Sequence, residues 1–264
     1  MHLIPHHNSQ ETASDTLRVL QKKQAALIED QLTGKLLQQQ ARPKTPWCAH
    51  GIKFEHSVIP ALYLSGDSLD YFNLPDGRVL FYLADVSGSG TAPALTSMLL
   101  KSIIQEFIFS TDMPVTPASV LTHLNQRLLT YNTDRHVTLV CGIVDTTQNQ
   151  LHWSVAGHLP SPIFYSEGRA GFLRGTGQPV GLFEHALFND EQMPLPDAFS
   201  LSLFSDGILD ALPEKYLLSR EAALPQLIAA AQGDYAKAVE SLGLANCSNM
   251  PDDIAMLVLS RNLA

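Results

Sequence analysis

Hydrophobic and polar residues follow two different patterns along the chain, and the change comes near Pro46. From Ser14 to Arg42, leucine and isoleucine recur near helical spacing among Gln, Lys and Arg, which predicts an amphipathic helix. Beyond Pro46, short apolar runs alternate with turns rich in Gly, Pro, Asn and Asp, which is typical of a β-rich domain. We therefore divide the chain into a flexible polar tail (1–13), a linker helix (14–46) and one large domain (47–264).

The helical segment admits two interpretations. It can pack against its own domain, or it can form a coiled-coil linker that carries a signal from an upstream module. Its apolar seam is short and contains Gly34, so the pattern allows a homodimer through this helix but does not require one. The prolines at positions 43 and 46 end the helix and mark the boundary of the domain.

The large domain is predicted to contain strand pairs separated by helix pairs. The predicted strands cover residues 52–58, 61–64, 72–74, 79–83, 137–145, 150–156, 163–165, 172–173, 199–204 and 254–259. The predicted helices cover residues 92–109, 117–129, 220–231 and 234–245. This alternation suits two packed sheets with helices outside them, an α+β layered sandwich.

Composition and charge narrow the class of protein. The chain is 45% hydrophobic and 16% charged, as globular proteins are, and its 26 acidic against 17 basic residues leave a net charge of −9. That acidity argues against a nucleic-acid partner. The sequence has no run near the roughly 18 apolar residues of a membrane span, and its N-terminus lacks the apolar core of a signal peptide. We therefore expect a cytoplasmic protein without a membrane partner.

Four aspartate-bearing stretches stand where a predicted strand begins or ends: Gly66-Asp67, Asp85-Val86, Asp206-Gly207 and Asp252-Asp253. A single Asp beside a Gly is usually a turn residue, because its side chain satisfies the local backbone. Four such positions in an acidic domain, without a competing Cys or His cluster, point instead to a shared cation site. Ligation by oxygen alone favours Mg²⁺ or Mn²⁺.

The acidic stretches belong to a longer, ordered series of motifs. The series reads Leu64-Ser65-Gly66-Asp67-Ser68-Leu69-Asp70-Tyr71-Phe72, Asp85-Val86-Ser87-Gly88-Ser89-Gly90, Val155-Ala156-Gly157-His158-Leu159-Pro160, Gly177-Gln178-Pro179-Val180-Gly181-Leu182, Ser205-Asp206-Gly207-Ile208-Leu209-Asp210-Ala211 and Asp252-Asp253-Ile254. It resembles the SpoIIE-type branch of the PPM protein phosphatases, over roughly residues 50–260. The resemblance implies a four-layer α-β-β-α sandwich with two Mn²⁺ or Mg²⁺ ions in the cleft between its sheets.

The resemblance also implies roles for individual residues. Asp85 would bridge both ions, and the carbonyl of Val86 would be a ligand. Asp206 and Asp252 would complete the shell of one ion, and Asp67 would bind metal directly or through water. Asp85 and Asp67 are therefore the expected catalytic residues.

Other polar residues receive lesser roles. Asp253 is expected to be a neighbour of the ligands, and His158 to support the fold more than to transfer protons. Four further histidines have no spacing that argues for more than surface or core roles: His123, His136, His152 and His185. The segment 60–65 lacks the phosphate-gripping arginine of the eukaryotic branch, so the substrate phosphate would depend on the ions.

The expected activity is hydrolysis of phosphoserine or phosphothreonine, since two neighbouring cations can activate water and neutralise phosphoryl oxygens. The resemblance implies a response-regulator output domain acting on a phosphorylated anti-sigma-factor antagonist. A weakly active or inactive adaptor that binds a sigma factor or an anti-sigma partner is the alternative. A third hypothesis is a nucleotide-handling enzyme that uses the Ser/Gly turn at 87–90 to bind phosphate. The absence of a lysine in this turn and the surrounding carboxylates argue against it.

Overall fold

The structure is a computed structural model that describes residues 8–132, 134–212, 220–246 and 250–263. The chain divides into two compact units, Met1–Ala41 and Arg42–Ala264. Helix α1 (Asn8–Gln40) accounts for most of the first unit. It begins six residues before the predicted start, so the second part of the predicted tail is helical; residues 1–7 of that tail lie outside the described residues.

The described part of the second unit contains two antiparallel sheets. One is built from β1 (Trp47–Ala49), β2 (Ile52–Ile59), β7 (Ile163–Ser166), β8 (Arg169–Phe172), β10 (Phe199–Phe204) and β11 (Ile254–Arg261). The other is built from β3 (Ser68–Asn73), β4 (Val79–Val86), β5 (Val137–Asp145), β6 (Gln150–Ala156) and β9 (Glu191–Pro194). Their strand orders are β1-β2-β11-β10-β7-β8 and β3-β4-β5-β6-β9.

Helices cover the outer face of each sheet. Helices α2 (Thr91–Ser110) and α3 (Pro117–Tyr131) pack on the sheet that contains β4. Helices α4 (Ile208–Ala211), α5 (Arg220–Ala230) and α6 (Tyr235–Ser241) pack on the sheet that contains β10. The predicted four-layer α-β-β-α sandwich is therefore confirmed. No described helix is both long enough and apolar enough to cross a membrane.

Strand β4 shows how the sequence builds these layers. Leu80, Tyr82 and Ala84 are buried among the side chains of α2 and α3. Phe81 and Leu83, on the opposite face, are buried between the two sheets. Because successive side chains of a strand point to opposite faces, one continuous apolar run can fill two cores. Each fully buried large side chain contributes about 1.5–3 kcal/mol of hydrophobic stabilisation.

The structure differs from the predicted elements in four places. Residues 61–64 are not a strand but a series of bends, and the backbone N–H of Ala61 donates to the Asp253 carboxylate (2.8 Å). Strands β1 and β9 were not predicted: β1 is only three residues long, and β9 reads Glu-Gln-Met-Pro, which lacks an apolar alternation. Helix α4, a helix of only four residues, was also not predicted. The remaining strands and helices lie within a few residues of their predicted positions.

Candidate metal centre

Antiparallel pairing gathers the four acidic stretches at one end of the sandwich. In an antiparallel pair, the end of one strand lies beside the start of its neighbour. Asp85 is the penultimate residue of β4, and Asp67 directly precedes β3, whose first residue pairs with Ala84. Asp206 follows β10 in the other sheet, and Asp252 precedes β11, in which Met256 pairs with Phe204.

Three of these aspartates, Asp85, Asp206 and Asp252, line one cavity of about 460 Å³. Its lining consists of Asp85, Ser87, Gly88, Ser89, His136, Thr138, Asp206, Pro251 and Asp252. Three of the five predicted ligands, one from β4 and two from the opposite sheet, therefore share one space. Asp67 is buried beside these three aspartates. The carbonyl oxygen of Val86 points toward Gly66, the residue before Asp67, and lies 3.0 Å from the position that a Cβ on Gly66 would occupy.

Burial and mutual repulsion raise the pKa values of Asp67, Asp85 and Asp206. Burial, together with the charges of Asp206 and Asp252, raises the pKa of Asp85 to about 7. The pKa of Asp206 is raised by burial and by Asp252. Burial and the Asp85 charge hold the pKa of Asp67 well above its usual range, although a hydrogen bond with Ser205 opposes them. Such a cluster of like charges is unfavourable without a cation.

The donor set fits a hard cation. Among the residues that the structure describes, Oδ2 of buried Asp67 has no hydrogen-bond partner, and a buried carboxylate oxygen without one is costly. Within the same described ranges, no three His, Cys, Asp or Glu side chains stand close enough together to hold one ion as they are. A cation bound at this cavity would offset the repulsion among its carboxylates. Asp67, Asp85, Val86, Asp206 and Asp252 therefore stay our predicted ligands.

Asp253 differs from its neighbour Asp252, because its carboxylate is fully engaged by the backbone. Oδ1 accepts the N–H of Ala61 and Oδ2 accepts the N–H of Gly66, both at 2.8 Å. These bonds tie the loop that carries Asp67 to the start of β11 in the opposite sheet. Gly207 fits beside this junction because a Cβ there would collide with the Asp253 carbonyl. The expectation that Asp253 is a neighbour of the ligands stays a prediction, and both of its carboxylate oxygens already accept backbone hydrogen bonds.

His158 joins the two sheets beneath the site. Its Nε2 donates to the carbonyl of Phe204 (2.8 Å), so its Nδ1 accepts from the hydroxyl of Thr138 (3.1 Å). The ring is buried, which lowers its pKa to about 4 despite both hydrogen bonds. A neutral imidazole with both nitrogens occupied supports the fold, as the sequence suggested.

The structure brings three basic residues to the site that the sequence did not indicate. His136 lines the cavity, a position beside the acids that its spacing in the sequence did not indicate. Arg135 donates through Nη1 to the carbonyl of Ser87 (2.8 Å). Half-buried Arg42 lies near two site carboxylates: burial lowers its pKa, and the charges of Asp67 and Asp253 oppose that effect. No spacing in the sequence links these residues to the acids; the β4–β5 register would have indicated the position of His136.

Comparison with known proteins supports the interpretation of the fold. The SiaA-PP2C domain of Pseudomonas aeruginosa superimposes with a TM-score of 0.74 at 20% identity, covering 91% of this chain and 99% of that structure. The phosphoserine phosphatase RsbP of Bacillus subtilis is 26% identical over 159 residues, which are 58% of this chain and 39% of RsbP. Protein IcfG of Synechocystis is 27% identical over 233 residues, 77% of this chain and 37% of IcfG.

The chain thus spans less than two fifths of the length of these two curated relatives. The sequence profile of the family described as Stage II sporulation protein E (SpoIIE) matches residues 75–262, well over half of the chain. The matched region includes β4 with Asp85 and continues through β11, so it contains four of the five predicted ligands. This chain belongs to the SpoIIE family of PPM-type protein phosphatases.

Proposed function

We propose that this protein is a metal-dependent serine/threonine phosphoprotein phosphatase whose active site is the acidic cavity between the sheets. The observation that carries the proposal is the convergence of Asp85, Asp206 and Asp252 on one cavity, beside a buried Asp67 oxygen that has no hydrogen-bond partner among the described residues. Carboxylates repel a phosphate ester unless a cation intervenes. An acidic cavity of this kind therefore favours metal-assisted phosphate chemistry over direct recognition of an anion.

Asp85, Asp206, Asp252, Asp67 and the carbonyl of Val86 would hold two Mn²⁺ or Mg²⁺ ions. When bound, such ions supply Lewis-acid chemistry, which makes water a better nucleophile and neutralises phosphoryl oxygens. The chain contributes fixed placement of the donors: Asp85 is held by the β4 ladder, and the Asp67 loop is held by Asp253. Asp85 and Asp67 are the proposed catalytic carboxylates.

The proposed substrate is a phosphoserine or phosphothreonine on a regulatory protein, with a phosphorylated anti-sigma-factor antagonist as the leading candidate. Similarity to RsbP, described as a phosphoserine phosphatase, supports the serine ester. In this proposal the domain is the output part of a response regulator, and α1 carries the signal.

The substitution Asp85→Asn tests the proposal. Loss of one carboxylate charge from the site should lower phosphoserine-peptide hydrolysis with Mn²⁺ at least about 10³-fold, because several kcal/mol of charge stabilisation is removed. Activity is measured as phosphate release, and folding as thermal unfolding. The matched control is Asp197→Asn, which changes an exposed aspartate just before β10 and should retain activity.

Two results would contradict the proposal. Equal activity of wild type and Asp85→Asn would remove the acidic cavity from the mechanism. Absence of both hydrolysis and Mn²⁺ binding at millimolar metal, measured by calorimetry on wild type, would favour the adaptor that binds a sigma factor or an anti-sigma partner.

We also propose that α1 pairs with α1 of a second copy of the chain. Seven of its large apolar side chains are exposed in the single chain: Leu17, Val19, Leu20, Leu27, Leu32, Leu36 and Leu37. Burial of such a row between two helices would be favourable. Sedimentation equilibrium should show a dimer that becomes a monomer when Leu27, Leu32 and Leu36 are replaced by Gln; a wild-type monomer at high concentration would refute the pairing.

A further inference from the structure

His136 stands on the same face of the sheet as Asp85. In the β4–β5 ladder, Asp85 pairs with Thr138, and Val86 pairs with Val137. Val86 and Val137 are both buried on the side of α2 and α3. Since strand side chains alternate, Asp85, Thr138 and His136 face the other way, into the cleft between the sheets. The cavity lining agrees, because it contains all three residues.

The backbone of His136 is fixed relative to the loop that follows Asp85. The N–H of Ser87 donates to the carbonyl of His136 (3.0 Å), and the N–H of His136 donates to Oγ of Ser87 (3.2 Å). Arg135 adds a third bond, from Nη1 to the Ser87 carbonyl. Gly88 leaves room for this guanidinium, since a Cβ on Gly88 would collide with Nη1 and its φ of +92° disfavours other residues. The imidazole is therefore attached at a defined position beside the acids.

Proton donation at this cavity has few other sources. Among the described lining residues, His136 has the only imidazole; the others that carry polar side chains are hydroxyl residues and the three carboxylates. The carboxylates are needed as anions to hold cations. His158 is closed to substrate, because both of its ring nitrogens are engaged and it is buried.

Hydrolysis of phosphoserine needs a proton at the leaving oxygen. As the oxygen of water forms its bond to phosphorus, the bond from phosphorus to the serine oxygen breaks and leaves an alkoxide, which is a poor leaving group. A donor that protonates this oxygen in the transition state assists the step. The products are a serine hydroxyl and inorganic phosphate, and the proton that the attacking water loses restores the donor.

We propose that His136 is a further catalytic residue, which donates its ring proton to the serine or threonine oxygen as the phosphate ester breaks. The inference rests on the proposed phosphatase function and assigns a residue to the leaving-group side of the same site. It predicts a dependence on the leaving group that a structural residue would not show.

The experiment compares two substrates on the variants His136→Ala and His136→Gln. With a phosphoserine peptide, the kcat of both variants should fall about 10²-fold or more, which is the usual contribution of a general acid. With p-nitrophenyl phosphate, whose phenolate leaves without a proton, kcat should change less than about threefold. The matched control is His185→Ala, an exposed loop histidine that should retain activity on both substrates.

Mn²⁺ affinity, measured by calorimetry, and thermal unfolding complete the experiment. Unchanged values for both variants, together with the leaving-group dependence, support proton donation. Equal losses on the two substrates, or wild-type kcat on the peptide, would overturn it while leaving the phosphatase function intact. Rescue by Gln, which donates a hydrogen bond but not a proton, would also overturn it. A wild-type protein inactive on both substrates would overturn the inference and the proposed function together.

Discussion

The inner face of the two sheets has two regions that are built from the same strands, an apolar core at one end and an acidic cavity at the other. At one end, Val79, Phe81 and Leu83 of β4 pack against apolar residues of the other sheet. Two residues further along the same face stands Asp85. Strand β5 shows the same change from apolar to polar residues along its length. Val144 and Val140 are buried in the core between the sheets, whereas Thr138 lines the acidic cavity.

The difference shows that one regular framework can serve stability and function separately. The apolar end is stabilised by burial, which depends little on pH or on ions. The acidic end is unfavourable alone, as the raised pKa values of Asp85 and Asp206 indicate. A rigid ladder can keep these groups close because the core next to them supplies the stabilisation.

The largest expected effect is a difference in the free energy of unfolding between a substitution in the apolar core and one in the acidic cavity. Leu83→Ala should lower the free energy of unfolding by about 2–5 kcal/mol, because it leaves a cavity between the sheets. Asp85→Asn, two residues away, should leave the metal-free free energy of unfolding equal or higher, because it removes a repelling charge. Urea unfolding with a chelator measures both. A larger loss for Asp85→Asn than for Leu83→Ala would contradict the comparison.

A smaller effect concerns pH. Asp85 has a folded-state pKa of about 7 against an ordinary value of 3.8, so the folded protein binds its proton more tightly than the unfolded chain. The associated stability is present below about pH 4 and is lost as the pH rises through 7. We expect a loss of about 1–3 kcal/mol in metal-free protein, after allowance for solvent screening.

The control separates the pH dependence of stability that Asp85 causes from the one that His158 causes, because the two pKa shifts have opposite directions. His158 has a folded-state pKa of about 4 against 6.5, so its contribution is present above pH 6.5 and is lost toward pH 4. The quantity to follow is therefore the difference between wild type and Asp85→Asn in urea unfolding from pH 4 to 8. A difference that does not change over this range would show that Asp85 does not carry the predicted charge repulsion.

The smallest effect distinguishes the two neighbouring acids before β11. Asp253→Asn should cost about 1–2 kcal/mol of unfolding free energy, since one of the N–H groups of Ala61 and Gly66 loses its acceptor. Asp252→Asn should leave stability nearly unchanged, because Asp252 is exposed, and should weaken Mn²⁺ binding. Thermal unfolding and calorimetry on both variants provide the measurements. The reverse assignment, a stable Asp253→Asn that binds no metal, would exchange their roles.

The sequence by itself determined most of the elements and the positions of the acids. The strands 137–145, 150–156 and 199–204 lie where their apolar runs predict, because periodicity and turn residues act over a few neighbouring positions. An ordered set of motifs also indicated the α-β-β-α sandwich. Their ligand assignments remain predictions.

Only the tertiary structure decided which residues meet. His136 joins Asp85 through the register of β4 and β5, and Arg42 approaches Asp67 and Asp253 from outside every predicted motif. The Asp253 carboxylate, far along the chain, accepts the backbone N–H groups of Ala61 and Gly66 in the loop where a strand at 61–64 was predicted. Contacts between residues so distant in sequence depend on strand pairing and side-chain packing, which local periodicity does not encode.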